Sequence, residues 1–250
     1  VERGTVDIAG AIVDGGGSAI VASAGGPMAH ELARFGAEHV TLPVQSKNPF
    51  VIQKNIHRLA DLAVAENVDI IHARSRASAW SAMYAAKKTG KHFITTFHGT
   101  YGHANSLKRF YNSVMTKGTL VIAISKFIAG HIRQVYGVPA ANIRVIPRGV
   151  DLSRFNPEFV SRERIISLAK KWRLPDGVPV IMLPGRLTRW KGQSLFIEAI
   201  KELGRRDVQC LMMGSDQGRH SYRRELERFI ESHGMTGNVH IIGHCDDMAA

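Results

Sequence analysis

No uninterrupted apolar run in this sequence nears the ~20 residues that a membrane-crossing helix needs, and the chain does not open on the basic-then-apolar pattern of a secretory leader. The expected location is therefore the cytoplasm, with the inner face of the plasma membrane as the one surface that could hold the chain. Cysteine is scarce. Cys210 falls in an apolar stretch and Cys245 in a polar one, with neither metal-ligand spacing nor a disulfide framework around them, so both are expected as reduced thiols. Acidic residues are outnumbered, 21 Asp and Glu against 33 Lys and Arg, for a formal net charge of +12. Such a balance attracts phosphates, anionic lipid head groups or nucleic acid without choosing among them. Gly15-Gly16-Gly17 precedes a strand and no Gly-x-Gly-x-x-Gly opens a helix, which argues against a nicotinamide dehydrogenase. The cations carry no stripe of interleaved aromatics, so a basic nucleic-acid-binding module is the weaker alternative and no nucleic acid partner is expected. Asp-x-Asp is also missing, and with it the usual means of holding a divalent ion on a diphosphate.

What the 250 residues do contain is an alternation of strand and helix patterns long enough for two domains. Val1 to Ala9 reads as a helix already in progress, with no strand before it, and a first strand is expected to be missing. Strands are expected at Ala19–Ser23, His39–Pro43, Val68–His72, His92–Phe97, Leu120–Ile124 and Ile143–Ile146. Helices intervene near 28–35, along the face of Ile52, Ile56, Leu59, Ala60 and Ala63, over 77–88 before Gly90, over 105–117, and from an N-cap at Ser125 to Tyr136. Runs such as Val121 to Ile124 are apolar on both faces, as in a parallel sheet covered on each side by helices. Pro147 to Asp151 and Phe155-Asn156-Pro157 break this rhythm, so an N-terminal domain is placed at 1–152 and a linker with a partial C-terminal domain at 153–250. The second series holds a helix near 161–172, strands at Val178–Leu183, Val208–Met213 and Val239–Ile242, and a helix carrying Tyr222, Leu226, Phe229 and Ile230. Three strands are too few to finish such a domain, and truncation is expected at that end too.

The stretch Leu183-Pro184-Gly185-Arg186-Leu187-Thr188-Arg189-Trp190-Lys191-Gly192 lies between a buried strand and a helix whose Phe196, Ala199, Ile200 and Leu203 recur at packing spacing. A loop there opens onto a helix N-terminus, where free N–H groups and the helix dipole favour negative charge. Arg186 supplies a planar fork for two phosphate oxygens and Lys191 a mobile point charge, while the neighbouring glycines let a ligand approach the backbone. This is chemistry for a diphosphate; the bland reading is a solvated basic turn.

Phe97-His98-Gly99-Thr100-Tyr101, Ile124-Ser125-Lys126, Val145 to Asp151 with Phe155, Pro184 to Leu187 with Lys191-Gly192, and Met213-Gly214-Ser215-Asp216 occur in an order that resembles the retaining glycosyltransferases of family 4, of the bacterial lipopolysaccharide-core or cell-envelope type. The resemblance covers nearly the whole chain. It implies an α/β GT-B architecture, two Rossmann-like doubly wound domains facing a cleft, both truncated here. It also implies an enzyme that moves a hexose, with retention, from a nucleotide-diphospho-sugar to an envelope glycan or lipid-linked acceptor. Arg186 and Lys191 would grip the donor diphosphate and stabilise the leaving group without a metal, and His98 would lie beside the donor sugar. No cofactor is expected, the nucleotide-sugar being a substrate. Two departures stand out: the glutamate pair separated by seven residues and the glycine-rich turn before the first helix are both absent, so the fragment is expected to be inactive by itself. Arg148 stands where asparagine is commoner.

His98 ends an apolar strand on the ligand-binding side of a parallel sheet, and a neutral imidazole there can hydrogen-bond a sugar hydroxyl. Gly185, Gly214, Asp216, His244 and Cys245 join the cradle as donor-binding candidates, and Gly218 shares the backbone role. Arg74, Arg76 and Tyr101 are the acceptor-binding candidates, although solvated arginines at a strand end explain the first two equally well. Lys108, Arg109 and Lys117 among Leu107, Phe110, Val114 and Met115 form either a helix packed on the core with a basic outer side or a face for anionic lipid. A nucleotide-sugar epimerase or hydrolase of the same architecture remains the alternative within the class.

Overall fold

A computed structural model describes residues 1–102 and 105–250. The chain divides into two compact units, Val1–Gly149 and Val150–Ala250.

In the first unit the order is α1 (Glu2–Asp14), β1 (Ile20–Ser23), α2 (Ala29–Arg34), β2 (Glu38–Thr41), α3 (Pro49–Ala65), β3 (Ile70–Ala73), α4 (Arg76–Thr89), β4 (His92–Phe97), α5 (Ser106–Ser113), β5 (Leu120–Ala123), α6 (Lys126–Tyr136) and β6 (Ile143–Val145). Every strand pair is parallel, β1 with β2 and then β3-β4-β5-β6 in chain order. The helices start where the sequence supplies caps. Asn48 accepts from the Phe50 amide with Pro49 at the first position, Asn105 from Lys108, and Ser125 from Ile128. Gly90 and Gly137 end α4 and α6 in the left-handed region, as an αL cap requires.

Small side chains let the layers close. Ala79, Ala82, Ala85 and Ala86 line the buried side of α4, which packs against α3 and β3. Phe93, Phe97, Val121, Ile128 and Ile132 form the core around β4 and β5. The helix expected over 105–117 stops at Ser113 and gives way to a 3-10 turn, Val114–Thr116. Val114 and Met115 are fully buried there, and the buried Thr95 hydroxyl donates to the Met115 carbonyl. Core packing thus overrides the longer amphipathic pattern.

The second unit holds α7 (Arg162–Trp172), β7 (Val180–Pro184), a 3-10 turn at Arg189–Lys191, α8 (Gln193–Leu203), β8 (Gln209–Met213), α9 (His220–Ser232) and β9 (Val239–Ile242). Its sheet is parallel in the order β7-β8-β9. Cys210, Leu211 and Met212 are fully buried on both faces of β8, as its central position demands. Tyr222, Leu226 and Ile230 of α9 pack in this core together with Ile197 and Ile200 of α8. The buried face of α8 is turned from the expected one: Gln193, Ile197 and Ile200 are inside, whereas Ala199 and Leu203 are exposed. Gln193 draws the helix round, because its amide donates to the Arg186 carbonyl at 3.0 Å.

Beyond the ends of β7 and β8 the backbones touch. Gly185 donates its amide to Met213 O at 2.8 Å, and Gly214 donates to Ile242 O at 3.1 Å. A Cβ on Gly214 would stand 2.2 Å from the Gly185 carbonyl oxygen, at a φ of +156°. Gly214→Ala should therefore destabilise the second unit by roughly 2–4 kcal/mol, read as a lower thermal midpoint; an unchanged midpoint would contradict the packing described.

Candidate functional site

Four residues singled out in the first unit come together. His98, Arg74, Arg76 and Tyr101 line one cavity of about 350 Å³, with Lys47 and Tyr111. The topology puts them there. His98 follows β4, Arg74 follows β3, and Arg76 opens α4, so all three stand at the C-terminal edge of the parallel sheet, where open α/β sheets bind ligands. Ser75 and Ala77 complete the wall at the start of α4. The first turn of that helix holds no acidic residue, and the Ser75 side chain makes no capping bond to it. Its amides and dipole are left for an anion. Among the described residues no Asp or Glu lines this cavity.

The charges here are unequally exposed and unequally satisfied: Arg74 is half-buried, Arg76 and Lys47 are exposed. Arg74 donates from Nε to Thr5 Oγ1 at 3.0 Å and from Nη2 to the Gly4 carbonyl at 3.1 Å, while its Nη1 is buried with no hydrogen-bond partner among the described residues. Burial, and then the neighbouring Arg148, lower its pKa. Arg76 donates to Asn112 Oδ1 at 3.0 Å and lies over the Tyr101 ring, 4.4 Å from its centroid. Tyr101 in turn packs on Phe97, centroid to centroid 4.9 Å.

Arg148 Nη2 donates to His98 Nδ1 at 2.7 Å. That bond makes Nδ1 the acceptor, so the neutral ring carries its hydrogen on Nε2, which is buried without a partner among the described residues. Burial first, and then Arg74 and Arg148, push the His98 pKa down to about 3. His98 is thus a neutral ring whose Nε2–H has no partner among the described residues, held at Nδ1 by the Arg148 guanidinium. The departure at Arg148 has a local explanation: it fixes the tautomer of His98. No local spacing shows this, because fifty positions separate the partners. Lys47 carries no local signal either, since only the fold brings it to the cavity wall.

In the second unit the cradle is built as a loop closed by the 3-10 turn, with Gly192 left-handed before α8. Leu187 is fully buried and donates its amide to Ser215 O at 3.1 Å, which ties the cradle to the loop after β8. Arg186 and Lys191 are exposed, and among the described residues neither has a carboxylate within ion-pair distance. Arg186 donates to Gln217 Oε1 at 3.3 Å. The Lys191 stem passes over Gly185, its Cδ 3.6 Å from where a Cβ would stand, and its Nζ lies 4.5 Å from the Trp190 ring centroid. Arg189, between them, is committed elsewhere: it holds Glu225 with two bonds of 2.7 and 2.6 Å and stacks over Tyr222.

The remaining candidates divide. Gly214 is a glycine because the chain's own Gly185 carbonyl approaches it. Asp216 spends one oxygen on the Gly218 amide, which is the main cause of its lowered pKa, and the other on His220 at 2.9 Å. Its carboxylate shapes the loop. His244 is exposed and pairs with Asp246 at 3.0 Å. Cys245 turns inward, with Sγ toward Asp247 O at 3.4 Å, so this residue can meet a ligand only through its backbone.

With this geometry in hand, comparison with known proteins is informative. The model of Glycosyltransferase Family 4 matches residues 1–154, and that of Glycosyl transferases group 1 matches residues 165–250. The chain belongs to glycosyltransferase family 4, and its fold is the α/β GT-B type, built of two Rossmann-like units. A solved glycosyltransferase from Rickettsia africae is 38% identical with a TM-score of 0.86, covering 100% of this chain and 66% of that one. Anabaena Alr3699/HepE in complex with UDP-glucose shares the fold at 21% identity, with a TM-score of 0.80 over 99% of this chain and 66% of that one. A D-inositol 3-phosphate glycosyltransferase of Xylanimonas cellulosilytica is 25% identical over 68% of this chain and 44% of its own length. A GDP-mannose-dependent alpha-(1-6)-phosphatidylinositol monomannoside mannosyltransferase of Mycolicibacterium smegmatis is 30% identical over 48% and 30%. The chain therefore spans under half the length of these curated relatives. No helix among the described residues is long and apolar enough to cross a membrane.

The low pKa of His98 has a measurable consequence. Unfolded histidines protonate near 6.5, whereas His98 stays neutral to about 3 and His72, lowered chiefly by burial, to about 4. Between those values the unfolded chain binds more protons, so stability falls as pH drops below about 6.5 and is independent of these groups above it. His98→Asn should flatten the slope of thermal midpoint against pH between 4 and 6.5; an unaltered slope would contradict the buried neutral ring.

Proposed function

We propose that this chain is part of a retaining glycosyltransferase that moves a hexose from a nucleotide-diphospho-sugar to a phosphorylated envelope glycan or lipid-linked acceptor, without a metal ion. The observation that carries the donor half is the pair Arg186 and Lys191, two cations with no carboxylate partner among the described residues, in the loop after β7. As the bond between sugar and diphosphate breaks, negative charge grows on the departing phosphate. Both cations then bind the transition state more tightly than the ground state. They supply the charge that a divalent ion supplies where one is bound.

The first unit carries the acceptor half. A cavity lined by Lys47, Arg74 and Arg76, with the start of α4 in its wall and no carboxylate among the described residues, suits a phosphomonoester or phosphodiester better than a neutral sugar alone. The named acceptors of two relatives, inositol 3-phosphate and a phosphatidylinositol monomannoside, both contain phosphate, which supports this reading. His98 offers its Nε2 hydrogen to a sugar hydroxyl. Because the ring is neutral, it can do so without opposing the positive charge that develops at the anomeric carbon.

The test is transfer of labelled sugar by the whole protein of which this chain is part, from a nucleotide-sugar panel to a phosphorylated acceptor, run with and without EDTA. Lys191→Ala should lower kcat/KM about 10²–10³-fold, with the thermal midpoint unchanged because the side chain is exposed. EDTA should have no effect. Wild-type turnover in the lysine variant, or activity lost on chelation and restored by a divalent ion, would overturn the assignment.

A further inference from the structure

The net charge of this molecule is not spread over it. From Ile70 to Val150 there are six lysines and six arginines and not one aspartate or glutamate, so this stretch accounts for the entire formal +12. It supplies β3 to β6 and α4 to α6, all in the first unit. On its surface lies an apolar ridge. Phe110 of α5 is 66% exposed and stands 5.5 Å from the Trp80 ring of α4, which in turn stacks 6.5 Å from Tyr84, itself exposed. Leu107 is one turn before Phe110, on the same side of α5, and is 79% exposed. Trp80 Nε1 donates to the Tyr111 carbonyl and fastens the two helices at this seam. Lys108 and Arg109 flank the ridge on α5, and Lys87 lies one turn beyond Tyr84 on α4.

We infer that the ridge of Leu107, Phe110, Trp80 and Tyr84, with Lys87, Lys108 and Arg109 around it, docks the first unit on an anionic bilayer, and that the acceptor is a lipid whose phosphate enters the cavity from that surface. The second clause rests on the reading of the cavity as an acceptor site. Two facts join surface and cavity. Tyr111 of α5 and Arg76 of α4 line the cavity, while Phe110 and Trp80, on the same two helices, form the ridge. A head group seated among Arg74, Arg76 and Lys47 would leave its acyl chains beside exposed aromatic side chains, the composition that settles at a lipid interface. The surrounding cations add attraction to acidic lipids, which is lost within a Debye length and weakened by salt. Nucleic acid would satisfy the charge equally well, and a base can stack on Phe110, but it leaves the exposed Leu107 with nothing apolar to bury against.

Sedimentation with vesicles decides the matter without any donor or turnover. The 250-residue chain should bind vesicles of phosphatidylcholine mixed with phosphatidylglycerol and not phosphatidylcholine alone. Lys108→Ser with Arg109→Ser should weaken that binding about thirty-fold. Leu107→Ser with Phe110→Ser should weaken it at least about ten-fold. Removing two cations elsewhere, Lys170→Ser with Lys171→Ser on α7, should leave it unchanged, and circular dichroism melts confirm that each variant is folded. Equal binding to neutral vesicles, equal loss from the α7 variant, or retention on duplex DNA matching that on vesicles with the apolar pair dispensable would overturn the proposal. Because no step requires catalysis, failure here leaves the transferase reading standing. Conversely, vesicle binding by the chain with no turnover by the whole protein on any phosphorylated lipid would remove the acceptor clause alone.

Discussion

Cations without carboxylates at the C-terminal ends of parallel strands are the constraint on which the rest depends. Elsewhere in the second unit an arginine finds an acid, as Arg189 finds Glu225 and Arg164 finds Asp247. Arg186 and Lys191 find none among the described residues, and Arg74, Arg76 and Arg148 bond to a carbonyl, a hydroxyl, an amide oxygen and an imidazole, with Nη1 of Arg74 left over. Burying a cation and holding like charges together both cost stability, and the pKa of Arg74 is lowered first by burial and then by Arg148. The arrangement makes sense when an anion completes it. Burial first, and then Arg74 and Arg148, keep His98 neutral, so that the ring is a hydrogen-bond donor and not another cation.

The loops that carry these charges are made rigid by contacts that have nothing to do with a ligand. Gly185 and Gly214 meet backbone to backbone, and Gln193 is buried under the cradle with its amide on the Arg186 carbonyl and its oxygen toward the Tyr222 hydroxyl at 3.4 Å. In the first unit Asn112 does comparable work, taking a bond from Arg76 and giving one to the Gly102 carbonyl at 2.9 Å. A site held by packed elements loses little freedom when its ligand binds, which favours affinity and alignment.

Most elements of the fold were legible in the sequence because they are locally consistent. Ser125, Gly90 and Gly137 stand where caps must be, and Val239 to Ile242 is bounded as the alternation predicts. The exceptions arise where a distant group decides the outcome. Gln193 turns the face of α8, and burial of Val114 and Met115 cuts α5 short. Of the site, the residues at strand ends could be picked out one at a time, and the structure shows that His98, Arg74, Arg76 and Tyr101 share a cavity. What no spacing revealed was the pairing of Arg148 with His98, or that Asp216 and Cys245 direct their side chains into their own loops.

The central claim is that the acid-free cradle after β7 exists to hold a diphosphate. The most direct measurement is a crystal structure of this chain soaked with a nucleoside diphosphate. The account predicts both phosphates within hydrogen-bond reach of Arg186 Nη and Lys191 Nζ, beside the Gly185 backbone. A diphosphate bound elsewhere, or these two cations found paired with carboxylates and closed to it, would contradict the account.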